Sequence, residues 1–110
     1  MIFVTGPLFA GKQTWICSRL RLTEEEFAEC AVRDVQDLVP CDDPEALADL
    51  LSQKRIVIAT EIGGGLVPTD REERQRREDA GRLACMLAEK ADTVVRVCCG
   101  LPQLLKGELP

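Results

Sequence analysis

Short apolar runs alternate along the chain with longer segments in which apolar residues recur every three to four positions. Residues 1–5 (MIFVT) are almost entirely apolar, which is typical of a buried parallel strand. Residues 12–22 have the helical period, and Trp15 within them is expected to lie against a neighbouring element or a partner. Thr23 and Glu26 match a capping box, which predicts that a short second helix starts there.

The middle of the chain gives weaker signals, up to a clear break at residues 40–44 (PCDDP). Residues 30–34 indicate a short strand, and residues 35–39 indicate a short helix. Asp43 is a good helix cap and Pro44 suits the first helical position. A helix is therefore predicted from Pro44 to about residue 52.

The second half contains the best strand after the first one, and also the longest helix. Residues 55–60 (RIVIAT) predict a strand that ends in a glycine-rich loop at residues 61–68. Asp70 caps a helix predicted to reach about residue 90, whose apolar stripe is Ala80, Leu83, Ala84, Leu87 and Ala91. Residues 93–99 predict a last strand, and residues 100–110 a tail. Alternating strands and helices predict an α/β fold with a small, mostly parallel sheet, in one domain over residues 1–110.

Charge and composition exclude some classes of function. The net charge is −5, which argues against a protein that binds nucleic acid through a broad basic face. No apolar run approaches the roughly 18 residues that a membrane span needs, so no membrane association is expected. Six cysteines without a CxxC pair are expected to be reduced, buried thiols in a cytoplasmic protein.

Between the first strand and the first helix lies the run Gly6-Pro7-Leu8-Phe9-Ala10-Gly11-Lys12-Gln13. It matches the P-loop pattern G-x-x-x-x-G-K-[ST] at every position but the last. Two glycines allow backbone N–H groups to point at phosphate oxygens, the following helix directs its positive dipole end there, and Lys12 adds a mobile charge. We therefore expect a three-layer P-loop fold in which these residues and Thr14 bind ATP or GTP. The alternative is a glycine-rich turn that carries a lysine by chance.

Gln13 occupies the position at which working P-loops carry a Ser or Thr that binds Mg²⁺. Its amide carbonyl stands on a longer arm, which suits the strict octahedral geometry of Mg²⁺ poorly. Thr14 lies about 100° further around the helix and points elsewhere. Phosphate binding is therefore expected to be intact, and Mg²⁺ binding is expected to be weakened.

Two carboxylates are expected at the same edge of the sheet as this loop. Asp34 and Glu61 each follow a predicted strand, and the carboxyl ends of parallel strands meet at one edge. A carboxylate there can hold Mg²⁺ or its waters beside a triphosphate, so both residues are candidate metal ligands and, with Lys12, candidate catalytic residues. Capping of a neighbouring helix is the alternative for each carboxylate.

The second half of the chain also carries a longer pattern. It consists of TEIGGGLVP at residues 60–68, Arg77, GRL at residues 81–83, AD at residues 91–92, and GLP followed by Lys106 at residues 100–106. With the P-loop, this pattern resembles the bifunctional cobinamide kinase / cobinamide-phosphate guanylyltransferases of cobalamin biosynthesis. The resemblance implies a P-loop α/β fold and a trimer. It also implies two reactions: a nucleoside triphosphate phosphorylates the corrinoid adenosylcobinamide, and GMP is then transferred through a histidine.

The chain departs from that family at several positions. It contains no histidine to carry GMP, and it lacks most of the family's middle segment. Gln13 replaces a serine, Thr60 replaces an asparagine, and Ala84 replaces the asparagine of the G-R-L-N motif. Two hypotheses follow from the resemblance. The chain is either a reduced cobinamide kinase without guanylyltransferase activity, or a nucleotide-binding partner or regulatory subunit without catalysis.

Overall fold

The structure, a computed structural model, describes residues 1–62 and 70–110. Within them the chain alternates between strands and helices, as predicted. In order, the elements are β1 (Ile2–Gly6), α1 (Lys12–Leu20), α2 (Glu24–Cys30), β2 (Ala31–Val32), a 3₁₀-helix (Val35–Leu38), α3 (Pro44–Leu51), β3 (Ile56–Thr60), α4 (Arg71–Lys90), β4 (Thr93–Cys98) and β5 (Leu101–Lys106). Most of the predicted glycine-rich loop, residues 63–68, lies outside the described residues.

The strands form one five-stranded sheet in the order β2-β3-β1-β4-β5. All neighbouring pairs are parallel except β4 and β5, which are antiparallel. The predicted small, mostly parallel sheet is therefore confirmed. Because β1 lies between β3 and β4, the loop that follows β1 emerges between the carboxyl ends of two neighbouring strands.

The core consists of two apolar clusters, one on each face of the sheet. On one face, alternate strand residues pack against α3 and α4, and this cluster includes Phe3, Val57, Val94, Ala48 and Leu87. On the other face, the intervening strand residues pack against α1 and α2, and this cluster includes Val4, Ile58, Val95, Ile16 and Phe27. The predicted three layers, helices on both faces of a central sheet, follow from this division.

Three helices begin where the sequence predicts. The Thr23 hydroxyl accepts from the backbone N–H of Glu26 at 3.1 Å, and the Glu26 carboxylate accepts from the N–H of Thr23 at 3.3 Å. The Asp43 carboxylate accepts from the N–H of Ala46 in α3, and the Asp70 carboxylate accepts from the N–H of Glu72 in α4. Local side-chain bonds of this kind satisfy N–H groups that the first turn of a helix leaves without an acceptor.

Two predicted elements are shorter than expected because a residue adopts the left-handed conformation. Helix α1 ends at Leu20 rather than near residue 22, since Arg21 has a φ of 55° and its N–H bonds back to the last turn. The strand predicted at residues 30–34 contains only Ala31 and Val32. Asp34, with a φ of 57°, turns the chain into the 3₁₀-helix.

The prediction of a tail after residue 99 was wrong. Cys99 and Gly100, with φ values of 54° and 74°, form a two-residue turn, and β5 then pairs with β4. Two positive φ values are what a tight hairpin turn requires. Every residue of β5 is exposed, so its pairing rests on backbone hydrogen bonds and leaves no alternating apolar pattern in the sequence.

The prediction of buried thiols was also wrong. All six cysteines are free, but Cys17 and Cys30 are only half-buried and the other four are exposed. The exposed ones contribute little to the core: Cys41 lies in a loop, Cys85 on α4, Cys98 at the end of β4 and Cys99 in the β4–β5 turn. No helix in the part of the chain that the structure describes is long and apolar enough to cross a membrane.

Candidate functional site

The loop between β1 and α1 depends on unusual backbone conformations. Gly6 has a φ of 152°, Phe9 a φ of 58° and Gly11 a φ of 83°. A Cβ atom on Gly6 would lie 2.1 Å from the carbonyl oxygen of Val97, so only glycine fits between β1 and β4 at this point. Helix α1 begins directly after Gly11, whose carbonyl accepts from Trp15 N–H at 2.9 Å. The loop therefore leads directly into the N-terminus of α1. The first N–H groups of a helix have no acceptor within the helix, so they point into the space beside the loop.

Lys12 is the buried charged residue at the centre of this loop. Its side chain folds back over the loop, and Nζ donates to the carbonyl of Pro7 at 2.7 Å and to that of Gly6 at 3.3 Å. Only 8% of Lys12 is exposed, and this burial lowers the pKa of its ammonium group. The carboxylates of Asp34 and Glu61 oppose that shift, so the structure brings all three predicted residues within electrostatic reach of one another.

Neighbouring strand ends hold the loop on both sides. The N–H of Glu61, just after β3, donates to the Gly6 carbonyl at 2.8 Å. The N–H of Gly100, in the β4–β5 turn, donates to the Ala10 carbonyl at 2.8 Å. The hairpin that the sequence did not predict therefore supports the candidate site directly. Only the family pattern pointed to Gly100.

A cleft of about 320 Å³ opens at the loop, and we call it the loop cleft. It contains most of the residues predicted to bind phosphate, and it also contains Asp34 but not Glu61. Its lining is Leu8, Phe9, Ala10, Gly11, Lys12, Gln13, Thr14, Arg33, Asp34, Ile58 and Thr60.

Arg33 is a site residue that the sequence did not indicate. Its Nη1 donates to the Oε1 atom of Gln13 at 2.8 Å, and its Nε lies 4.0 Å from the Asp34 carboxylate. A guanidinium group is therefore bonded to the side chain that replaces the usual metal-binding hydroxyl. The contact joins α1 to the end of β2, twenty positions apart, and no local sequence pattern reports it.

Glu61 is held by an arginine of β4. Arg96 donates to both carboxylate oxygens, from Nε at 2.6 Å and from Nη2 at 3.0 Å. This two-point pairing raises the pKa of the Arg96 guanidinium. The pair spans β1, because β3 and β4 lie on either side of that strand. Its formation therefore depends on the order of the strands.

The side chains present fit Mg²⁺ poorly. Gln13 and Glu61 are each bonded to an arginine, and Asp34 is an exposed carboxylate 4.0 Å from the guanidinium group of Arg33. In residues 1–62 and 70–110, no three His, Cys, Asp or Glu side chains come together as a metal site. Beside a nucleotide, Mg²⁺ takes most of its octahedral ligands from water and phosphate oxygens, and the protein adds one or two. The fit is poor because Gln13 and Glu61 are already bonded to arginines.

Gln36, another residue outside the predictions, fixes the end of β3. This side chain is 8% exposed, and its Oε1 accepts from the backbone N–H of Thr60 at 2.9 Å. It also lines a small cavity of about 130 Å³ beneath α4, together with Thr5 and Glu61. The bond from Gln36 to Thr60 holds the carboxyl end of β3 in place beside the loop.

Comparison with known proteins supports a family assignment. A sequence model of the family described as cobinamide kinase / cobinamide phosphate guanyltransferase matches residues 13–105. The chain belongs to this family. The match begins just after Lys12, so it does not include most of the loop between β1 and α1. The evidence that this loop is a phosphate-binding candidate is its sequence pattern and its geometry.

One curated relative of this family member comes from Pseudomonas aeruginosa and is named bifunctional adenosylcobalamin biosynthesis protein CobP. The two are 33% identical over 101 residues, which covers 78% of this chain. The chain spans 58% of the length of that relative. The resemblance read from the second half of the sequence is confirmed as a family relationship.

Proposed function

We propose that this family member binds a nucleoside triphosphate, ATP or GTP, through the loop at residues 6–14. One observation carries the proposal. The buried ammonium group of Lys12 rests on loop carbonyls at the N-terminus of α1 and opens onto the loop cleft. An anion in that cleft would face the helix N-terminus, the lysine and the Arg33 guanidinium together.

The hydrogen bond from the Lys12 ammonium group to the Pro7 carbonyl partly compensates this charge for the solvent it loses on burial. Lys12 has a lowered pKa because it loses solvent, and loop carbonyls carry only partial negative charge. A nucleoside triphosphate would provide full negative charge and the three non-bridging oxygens of its terminal phosphate. The lysine would then exchange two bonds to carbonyls for stronger, charge-assisted bonds.

We propose further that Arg33 takes over part of the charge neutralisation that Mg²⁺ provides in other P-loop proteins. Its guanidinium lines the cleft and is bonded to Gln13 at the position of the usual metal ligand. Arginine is always charged and presents donors in a planar fork that matches phosphate oxygens. Asp34 and Glu61 stay proposals as metal ligands. Glu61 would have to leave Arg96 to serve as one.

Two functions fit these residues. The arginine bonds of the Gln13 and Glu61 side chains, which leave neither one free for Mg²⁺, favour the second function below. The first is slow phosphorylation of a corrinoid by ATP or GTP, with guanylyl transfer lost. The second is nucleotide binding without catalysis, as a partner or regulatory subunit. A homo-oligomer is proposed in either case from the family resemblance. The exposed leucines of β5, Leu101, Leu104 and Leu105, are available for contacts between copies.

Mass spectrometry distinguishes these two functions. Adenosylcobinamide incubated with the native chain, GTP or ATP, and Mg²⁺ should gain little or no phosphate. Gln13→Ser should increase any rate that is observed, because it restores a hydroxyl group at the position of the usual Mg²⁺ ligand. The protein itself should gain no GMP, because it has no histidine to form the phosphoramidate. Robust phosphorylation by the native chain would exclude the non-catalytic function, and a GMP adduct on the protein would contradict the argument from histidine.

A second experiment measures how much GTP binding depends on Mg²⁺. In the native chain, chelation should change the dissociation constant by less than about tenfold, or 1.4 kcal/mol, because Arg33 already supplies charge in the cleft. Gln13→Ser should make binding more dependent on Mg²⁺. Gln13→Ala is the matched control, since it also removes the acceptor for Arg33 but adds no hydroxyl. Loss of native binding on chelation would contradict the proposed role of Arg33.

A further inference from the structure

Beside the loop cleft lies a second, larger cleft along α1. This second cleft has a volume of about 660 Å³ and is lined by Trp15, Ser18, Arg19 and Arg21, and we call it the Trp15 cleft. Gly11 and Thr14 line both clefts. The two clefts are therefore adjacent at Gly11 and Thr14, so a ligand with its phosphates in the loop cleft could reach the Trp15 cleft by passing over Thr14.

We infer that the Trp15 cleft binds the nucleoside part of the triphosphate, with the base stacked on the indole ring of Trp15. The inference rests on the proposed function, because it requires the phosphates to lie in the loop cleft. Trp15 is half-buried and packs against the apolar cluster between α1 and the sheet. A ring that is already held by packing loses little conformational entropy when a base stacks on it.

The polar groups of the Trp15 cleft suit the edges of a base and a ribose. Arg19 and Arg21 offer guanidinium donors, and Ser18 offers a hydroxyl group. Arg19 already donates from Nε to the carbonyl of Pro110, which fixes the direction of its side chain. Guanine presents two neighbouring acceptors, O6 and N7, which a guanidinium group can bind together. GTP is therefore the probe that matches this cleft best.

The other cavities beside the loop cleft suit a nucleoside less well. The cavity beneath α4 has a volume of about 130 Å³, below the range of several hundred Å³ typical of small-molecule sites. The cleft beyond Gln13 and Arg33 has about 380 Å³, but Phe27, the aromatic residue in its lining, is buried and offers little ring surface to a base. Neither of these two cavities has a tryptophan in its lining.

Tryptophan fluorescence tests the inference, because Trp15 is the single tryptophan of a chain without tyrosine. GTP should change the emission of the native chain, and inorganic tripolyphosphate should bind without a comparable change. Calorimetry should show that GTP binds at least about fivefold more tightly than tripolyphosphate, which is the lower limit of what stacking on an aromatic side chain contributes. Tripolyphosphate is at least as highly charged as GTP, so tighter binding of GTP cannot come from charge.

Two variants separate stacking from packing. Trp15→Phe retains an aromatic ring and should keep most of the preference for GTP over tripolyphosphate. Trp15→Leu should reduce the ratio of GTP affinity to tripolyphosphate affinity towards one. Tripolyphosphate binding should stay as in the native chain, which also shows that the variant is folded. A preference that is unchanged in Trp15→Leu would overturn the inference, as would GTP binding without a change in native fluorescence. If tripolyphosphate binds and GTP binds no more tightly, the inference alone fails. If neither binds, the proposed function fails with it.

Discussion

Gly6→Ala is expected to destabilise the protein by about 2–5 kcal/mol and to lower its unfolding midpoint by roughly 10 °C or more. The added Cβ would lie 2.1 Å from the carbonyl oxygen of Val97, and this neighbour is backbone of β4 that cannot rotate away. The φ of 152° adds strain, because side-chain-bearing residues rarely adopt it. Relief requires β1 to move from β4, and those two strands form the centre of the sheet.

The matched control is Gly81→Ala in α4. Among residues 1–62 and 70–110, no atom lies within 4 Å of a Cβ atom at Gly81, and the residue is exposed in the middle of a helix. Alanine is favoured over glycine there by about 1 kcal/mol, so this variant should be more stable than the native chain. Urea or thermal unfolding followed by circular dichroism compares the two. A Gly6→Ala variant that unfolds with the native midpoint would show that the loop does not have the described backbone.

Features of the fold that depend on local patterns could be predicted from the sequence. The caps at Thr23, Asp43 and Asp70 each rest on a side chain and an N–H group within three residues. The apolar stripe of α4 was also predictable, because its period alone identifies the face that packs on the sheet. The buried members of that stripe are Ala80, Leu83, Leu87 and Ala91.

Features that depend on strand order or on distant contacts could not be predicted. Glu61 and Arg96 meet only because β3 and β4 flank β1, and this order is a property of the whole sheet. Arg33 reaches Gln13 from another element for a similar reason. Strand β5 was missed because all its residues are exposed and carry no alternating apolar pattern.

Lys12→Ala is expected to weaken GTP binding by about 10- to 150-fold, the range for losing a hydrogen bond to a charged group. Lys12 is the lysine that lines the loop cleft, and its Nζ donates to the loop carbonyls of Gly6 and Pro7. Its removal takes away the mobile positive charge but leaves the glycines and the start of α1. Residual binding should therefore persist through the helix N-terminus and Arg33.

The control for this variant is Lys54→Ala. Lys54 is exposed in the turn before β3, at the opposite end of the strand from the loop, so its removal changes the net charge equally without touching the cleft. GTP binding to Lys54→Ala should remain within about twofold of the native value, as is usual for an exposed charge beyond the screening distance. Thermal unfolding of all three proteins shows whether Lys12→Ala keeps the native fold.

The most direct test of triphosphate binding at this loop is a calorimetric titration of GTP into the native, Lys12→Ala and Lys54→Ala proteins. The account predicts that the native protein and Lys54→Ala bind GTP alike and that Lys12→Ala, while still folded, binds it at least about tenfold more weakly. Absence of binding to the native protein, or equal affinities of Lys12→Ala and Lys54→Ala, would contradict it.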